Sequence, residues 1–301
     1  MQKIIPCFWS DGWAEEAAEL YTRLFPDSAI GEITRFTQEG VEHHGQSEGT
    51  VLTVSLTLAG QELVILNGGP MFTPNPAMSF FVFINDRAQI DRIWTALIDG
   101  GKARMELGSY PWCEHYGWVE DRFGVSWQLM MADPGELNQT IVPALMFTQG
   151  AAGKAEEAMA RYGEALGGFA PVAVNHYPPG TGANEGLLMH GQYKIAGQTF
   201  IAFDSPMDHG FGFTPGLSLQ VLTGDQAETD RIWNALTHVP EAERCGWLAD
   251  RYGLSWQIIP EDMPGLLNGP DKQAAGRARA AMFEMKKIDI AALKSAYEGN
   301  G

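Results

Sequence analysis

At 301 residues, with 45% apolar and 19% charged side chains, the chain has the length of about two domains and the material to bury a core in each. It carries 37 acidic against 20 basic residues, a formal net charge of −17, and no run of Lys or Arg, so no polyanionic partner is expected, neither nucleic acid nor an anionic membrane surface. Three cysteines, Cys7, Cys113 and Cys245, without a CxxC pair signal neither a disulfide framework nor a zinc cluster, and a reducing cytoplasm is the expected setting.

The first residues, Met1–Pro6, lack the apolar stretch of a signal peptide, and no apolar run reaches the roughly 18 residues of a membrane span. Ile4–Trp9 reads as a buried strand, and Asp11 opens a helical pattern through Ala14, Ala17, Ala18, Tyr21, Leu24 and Phe25 that Pro26 stops. Ala29–Phe36 follows as a strand, then a polar loop with His43 and His44. Thr50–Leu58 alternates Leu52, Val54, Leu56 and Leu58 with Thr53, Ser55 and Thr57, a strand with one apolar and one hydroxyl-lined face. Ala59-Gly60-Gln61 turns the chain into Glu62–Leu66. The order βαβββ then restarts: a strand at Met78–Ile84, a helix at Arg87–Ile98, and strands near Ala103–Leu107, Glu114–Glu120 and Val125–Met131. The polar stretch at residues 133–140, with Pro and Gly, is the expected linker.

The second half repeats the first. Trp118–Met130 returns at Trp247–Ile259 with seven of thirteen positions identical, each copy holding an Asp-Arg-aromatic-Gly turn whose glycine is expected at positive φ. Val142–Phe147 matches Ile5–Trp9, Ala196-Gly197-Gln198 repeats Ala59-Gly60-Gln61, and Asp230–Leu236 repeats Asp91–Leu97. A helix is expected near Lys154–Leu166, with strands near Pro171–His176 and Leu187–Ile195. The offset between copies is 139 at the Asp91 helix and 129 at the Trp118 strand, so ten residues are missing from the second copy, where the first has its strand near Ala103–Leu107. This is a duplicated domain rather than a solenoid. The expected boundaries are 1–132, a linker at 133–140, 141–262, and a tail at 263–301 of two helices with Asp271 and Asp289 as N-caps, packed on the body.

The βαβββ order taken twice per half, the D-R-[FY]-G-[VL]-S-W-Q strand, the A-G-Q hairpin and the D-R-I-W-x-A-L helix resemble the PhnB-like branch of the vicinal oxygen chelate superfamily. That superfamily holds the glyoxalases, bleomycin-resistance proteins and extradiol dioxygenases, and this branch is often labelled 3-demethylubiquinone-9 3-methyltransferase-like. The resemblance implies an α+β fold of paired βαβββ modules forming cupped mixed sheets, helices outside and a ligand cavity inside. Two such domains lie in tandem, giving a monomeric pseudo-dimer or a homodimer. In metal-dependent members four strands bring His, Glu or Gln to one divalent ion. Here the closing position is Gln128 in one half and Gln257 in the other, the first strand offers only Cys7, and the remaining strands offer Asn67 and Ser79, or Asp204 and Ser218. No two-His-one-carboxylate set results, so neither a metal nor another cofactor is expected.

The candidate ligand-binding residues are Thr53, Ser55, Trp112, Gln128, Gln192 and Gln257. Thr53, Ser55 and Thr57, with their counterparts His190, Gln192 and Lys194, are expected to face the cup. The two glutamines either bond a neighbouring strand or touch ligand. Trp112 sits where an aromatic would lid the cavity; its counterpart is Glu241, so the two cups are expected to differ. Trp94, Trp127, Trp233 and Trp256 read as core. His190, oriented by Asp204, is the catalytic candidate, a general base near neutral pH; His43, His44 and His209 fall in loops and are expected to be solvated. Gly68-Gly69-Pro70 precedes no helix, and no nucleotide-binding βαβ pattern supports methyl transfer. The sequence therefore favours a metal-independent small-molecule-binding protein. The alternative is an enzyme, a lyase, isomerase, dioxygenase or the methyltransferase of the label, using His190 and Asp204 or a metal at one cup. A third reading makes the C-terminal helices an interaction module.

Overall fold

The computed structural model describes residues 2–41, 45–133, 135 and 139–300; His43, His44 and part of the expected linker lie outside them. Module 1 holds β1 (Ile4–Ser10), α1 (Ala14–Leu24), β2 (Ala29–Arg35), β3 (Val51–Leu58) and β4 (Gln61–Asn67). Module 2 holds β5 (Met78–Ile84), α2 (Arg87–Ile98), β6 (Lys102–Tyr110), β7 (Cys113–Glu120) and β8 (Ser126–Met131). Module 3 holds β9 (Ile141–Phe147), α3 (Ala155–Leu166), β10 (Ala170–His176), β11 (Leu188–Ile195) and β12 (Gln198–Asp204). Module 4 holds only β13 (Leu217–Thr223), α4 (Gln226–Leu236), β14 (Trp247–Ala249) and β15 (Ser255–Pro260). A turn of 3-10 helix at Pro240–Ala242 stands where module 2 has β6, which is the ten-residue deletion seen in the repeat. The tail forms α5 (Met263–Asn268), α6 (Lys272–Phe283) and α7 (Ile290–Glu298), one helix more than expected. Asp271 and Asp289 cap the last two by accepting the amides of Ala274 and Ala292.

The βαβββ order holds, and the modules pair across the sequence repeat. Sheet A runs β14-β15-β13-β1-β4-β3-β2 and sheet B runs β10-β11-β12-β9-β5-β8-β7-β6. Modules 1 and 4 share sheet A through the antiparallel pair β1–β13, in register at Cys7 and Ser218. Modules 2 and 3 share sheet B through β5–β9, in register at Ser79 and Ala144. Each sheet is therefore assembled from one module of either sequence half. The ladders within 1–132 and within 141–262 do not by themselves make a cupped sheet. Local alternation cannot specify this pairing, since the edge of β1 that meets β13 is as apolar as one that would meet β5.

Alternation along each strand separates two faces. Phe8, Phe80, Trp127, Phe147 and Trp256 are fully buried in the main core, where the sheets meet each other and the helices; Phe8 of sheet A and Phe80 of sheet B stand edge to face at 5.3 Å. The opposite faces are the two cups.

What fastens the sheets is a buried carboxylate in each half. Asp121 Oδ1 accepts the amides of Phe123 (2.9 Å) and Val125 (3.0 Å), closing the turn before β8 with Gly124 at φ 82°. Its Oδ2 accepts the hydroxyl of Tyr21 (2.6 Å) on α1 and the indole N–H of Trp127 (2.9 Å). Asp250 repeats the clasp with Tyr252, Leu254, Tyr162 (2.7 Å) on α3 and Trp256 (2.9 Å). Four donors satisfy each carboxylate. Burial outweighs them and pushes the carboxyls of Asp121 and Asp250 above their ordinary value, and burial together with the facing carboxylate raises the phenols of Tyr21 and Tyr162 well above theirs. Each clasp joins a helix on sheet A to a strand of sheet B, or the reverse.

Removing one carboxylate strands two amides, a phenol and an indole in the core. Asp121→Ala and Asp250→Ala are each expected to cost about 3–5 kcal/mol in equilibrium denaturant unfolding. Tyr21→Phe, which removes one of four donors, should cost about 1 kcal/mol.

Candidate functional site

Both cups are floored by the same arrangement. In sheet B, Gln128 on β8 donates from Nε2 to Ser79 Oγ on β5 (2.8 Å), and its Oε1 accepts the hydroxyl of Tyr116 on β7 (2.5 Å). In sheet A, Gln257 on β15 donates to Ser218 Oγ on β13 (2.9 Å), and its Oε1 accepts from Gln220 (3.1 Å). The glutamines thus bond neighbouring strands, with their amide orientation fixed at both ends. Burial, then the charges of Tyr110 and Cys113, raise the Tyr116 phenol far above its usual value, so it stays a donor. Tyr116 was not singled out by the sequence, because its pairing with Gln128 depends on the β7–β8 register, where Trp118 stands opposite Gln128 and Tyr116 opposite Met130.

Cup B gathers the polar and aromatic candidates. His190 and Gln192 on β11 face it, with their side chains 3.5 Å apart at Nε2 of each. His190 meets Phe81 on β5 edge to face at 5.9 Å between centroids. β11 lies three strands from β5, roughly 14 Å in a flat sheet, so the sheet curls enough to bring the two walls together. Around them Phe81, Phe83, Tyr116, Val142, Ala144 and Ile201 form a second apolar cluster, separate from the main core and edged by half-buried Met105, Trp118, Met130 and Phe203. Burial lowers the His190 pKa below its ordinary 6.5, which keeps the ring neutral at neutral pH. Trp112 is 59% exposed and stacks on Tyr110 (5.1 Å), meeting Tyr116 edge to face (6.2 Å), so it covers the cup from outside through those two rings. At the far end of the cup Glu120 takes Arg104 and Lys102, and the Arg104 guanidinium lies 5.5 Å from the Phe211 ring.

Three expectations need correction. His190 and Asp204 are not brought together. Ile201 and Phe203 face the cup, so Asp204, the next residue along β12, falls on the helix side, where it accepts the amides of Gly153 (2.8 Å), Ala155 (3.1 Å) and Leu188 (3.1 Å). It anchors the start of α3 and the first residue of β11. Second, His190 and Gln192 share a cup with Gln128 and Trp112 of the first half, whereas Thr53 and Ser55 share theirs with Gln257. Third, His209 is engaged rather than solvated, its Nε2 2.7 Å from Ser205 Oγ and its ring 5.3 Å from Phe211. His115, which the sequence reading passed over, is buried against α2 with Nε2 2.7 Å from Asp91 Oδ1.

The donors on the cup floors do not suit a divalent ion. Both glutamine Oε1 atoms are taken by protein donors, and Glu120, the acidic group of cup B, is paired with two cations. The Cys7 thiol of cup A is pushed up to about 11 by burial, against the lowering effect of Gln257 and Ser218, so the thiolate a metal requires is suppressed. Among the described residues no three His, Cys, Asp or Glu side chains converge.

The model of the family described as 3-demethylubiquinone-9 3-methyltransferase matches the chain twice, over residues 2–130 and 139–259. Among solved structures, a PhnB protein from Bacillus cereus named for the same methyltransferase is 39% identical over 44% of this chain and 100% of its own, with a TM-score of 0.40. A Staphylococcus aureus protein is 32% identical over 44% of this chain and 98% of its own, with a TM-score of 0.18. Glyoxalase I from Zea mays shares the fold over 86% of this chain and 92% of its own, with 13% identity and a TM-score of 0.54. No curated protein matches. With one family model matched in tandem over residues 2–130 and 139–259, on a fold shared with glyoxalase I, the chain belongs to the 3-demethylubiquinone-9 3-methyltransferase family.

Proposed function

We propose that cup B is a binding site for a neutral, hydrogen-bonding aromatic small molecule, held without a divalent ion. The observation that carries this reading is the convergence of Gln128, Ser79, Tyr116, His190 and Gln192 on a lining of Phe81, Ile201, Phe203, Met130 and Trp118. Apolar and aromatic walls supply affinity for a ring, and a few uncharged polar groups fix its orientation. Around Gln128 the acidic group, Glu120, is already paired with Lys102 and Arg104, and Lys194, on the His190–Gln192 side of β11, stands exposed, so the floor itself holds uncharged groups. Thr53, Ser55 and Gln257 line the other cup with similar chemistry. The methyl transfer in the family's name would need a base on the acceptor hydroxyl. His190 is the one group in cup B that fits, as a neutral imidazole acting without Asp204, and this makes acid–base chemistry at His190 the second reading.

Titration with 2-naphthol, followed by quenching of the Trp112 and Trp118 fluorescence, tests the first reading. Saturable quenching that His190→Ala or Gln192→Ala weakens roughly fivefold, about 1 kcal/mol, is expected; quenching unchanged by either substitution would refute it. Calorimetric titration with Mg, Mn, Ni, Zn or Fe(II) should show no stoichiometric sub-micromolar site.

Because the folded-state pKa of His190 is depressed, the neutral ring persists down to a pH below 6.5. Affinity is therefore expected to be flat above neutrality and to fall on acidification with a midpoint under that value, and His190→Gln should abolish the fall.

A further inference from the structure

The pairing of β12 runs one residue past Asp204. The Ser205 amide donates to the Phe147 carbonyl (2.8 Å), so the alternation that turns Ile201 and Phe203 into cup B and Asp204 away from it brings Ser205 back to the cup side. Four residues on, in the loop to β13, His209 returns to it, with Nε2 2.7 Å from Ser205 Oγ. The imidazole also rests on Phe211, with ring centroids 5.3 Å apart, and the Arg104 guanidinium of β6 lies 5.5 Å from that phenylalanine ring. The pair therefore stands at the far end of cup B, where the edge strand β6 meets the loop leaving β12. Ser205 and His209 are half-buried and Pro206, Met207 and Asp208 between them are exposed, so the pair opens on solvent. Asp208 is an anionic neighbour of the ring: the Gln149 side chain (2.7 Å) first and the Gly210 amide (3.0 Å) next hold its carboxyl below the ordinary value, and the His209 charge adds to them. A carboxylate kept ionised there favours the imidazolium that forms when Nε2 takes a proton. Counting from the repeated Ala-Gly-Gln turn, the same positions in the first half are Gly68 and Phe72, so the pair belongs to one half of the chain.

We propose that Ser205 and His209 are a nucleophile and its general base, which cleave neutral aryl esters at the end of cup B. A serine hydroxyl is a weak nucleophile until a base within hydrogen-bond reach takes its proton, and an imidazole nitrogen at 2.7 Å is that arrangement. Ser205 Oγ adds to the ester carbonyl carbon as its proton passes to His209 Nε2. The tetrahedral adduct collapses by breaking the bond from that carbon to the aryl oxygen, which leaves as the phenol with the proton from Nε2. Water then adds to the acyl group on Ser205, giving a proton to Nε2, and the second adduct releases the carboxylic acid as that proton returns to Ser205 Oγ. The pair stands on its own geometry, whereas the aryl class of the ester rests on the reading given for cup B, since the phenol released is the neutral, hydrogen-bonding ring proposed there.

The full chain is incubated with 2-naphthyl acetate and release of 2-naphthol is followed by its fluorescence, in the parent and in Ser205→Ala and His209→Gln. Glutamine at 209 keeps a hydrogen-bonding side chain beside Ser205 but no basic nitrogen, so a loss there is chemistry and not loop geometry. Both substitutions are expected to lower the rate above buffer at least about tenfold, since a positioned base supplies roughly 10²–10⁴-fold. Parent hydrolysis no faster than that of either variant would overturn the proposal. Diethyl p-nitrophenyl phosphate, which reports the nucleophile directly, is the second measurement. Mass spectrometry of the treated parent should place the diethylphosphoryl group on Ser205, and His209→Gln should slow that labelling at least about tenfold. A Ser205 that stays unlabelled, or one labelled equally fast in His209→Gln, would overturn the proposal, showing a hydrogen bond that only closes the loop. If ester hydrolysis depends on Ser205 and His209 while 2-naphthol itself fails to bind, the pair stands and the reading of cup B falls; if 2-naphthol binds and the ester is untouched, cup B stands and the pair falls.

Discussion

Two buried carboxylates set the arrangement of this molecule. The ladders of sheets A and B tie module 1 to module 4 and module 2 to module 3, and nothing in those ladders binds one half of the sequence to itself. Asp121 does that for the first half, by holding Tyr21 of module 1 and Trp127 of module 2 on one oxygen; Asp250 does it for the second. The chain is thus interlocked twice over, by main-chain bonds across the repeat and side-chain bonds within it. A carboxylate with four donors is an expensive group to bury and a costly one to lose, and this suits a fastening that must not slip.

Interlocking decides what the cups are made of. Because β1 meets β13 and β5 meets β9, each cup draws its closing glutamine and its β11- or β3-type wall from different halves of the chain. The two floors are near copies, and the walls are not. In cup B the position next to Gln128 is a tyrosine on a full-length strand, and His190 curls over to Phe81. In cup A, Gln257 turns to Gln220, Cys7 stands where cup B has Ala144, and Trp9, Trp247 and Phe72 crowd together with centroids 5.0–6.1 Å apart. One backbone, used twice, carries a half-buried histidine on one side and aromatic filling on the other.

Much of this was readable from the residues. Period-2 alternation placed Val54 and Leu56 in the core and Thr53 and Ser55 opposite, and the repeat located the missing strand to within its module. The D-R-[FY]-G turn announced its positive-φ glycine, at 82° and 87° in the two copies. What failed did so for definite reasons. Asp204 was assigned to the cup because it ends a strand whose other residues alternate correctly, but one step in parity turns a side chain to the other face. The clasp was half visible as an Asp six residues before a Trp, yet its tyrosine lies 100 residues away on a helix, and only tertiary contact pairs them. Module pairing across the repeat leaves no local signature at all.

The deletion in module 4 has a consequence beyond cup A. Losing β6's counterpart leaves β14, three residues long, as the rim of a sheet, and a bare rim offers unpaired amides to any other chain in solution. Met285 and Lys286 accept the amides of Cys245 and Gly246, the two residues just before that strand, from within the same polypeptide. The shortened repeat and the C-terminal helices therefore meet at one place: the chain running into the last helix supplies main-chain partners beside the strand that the deletion left short.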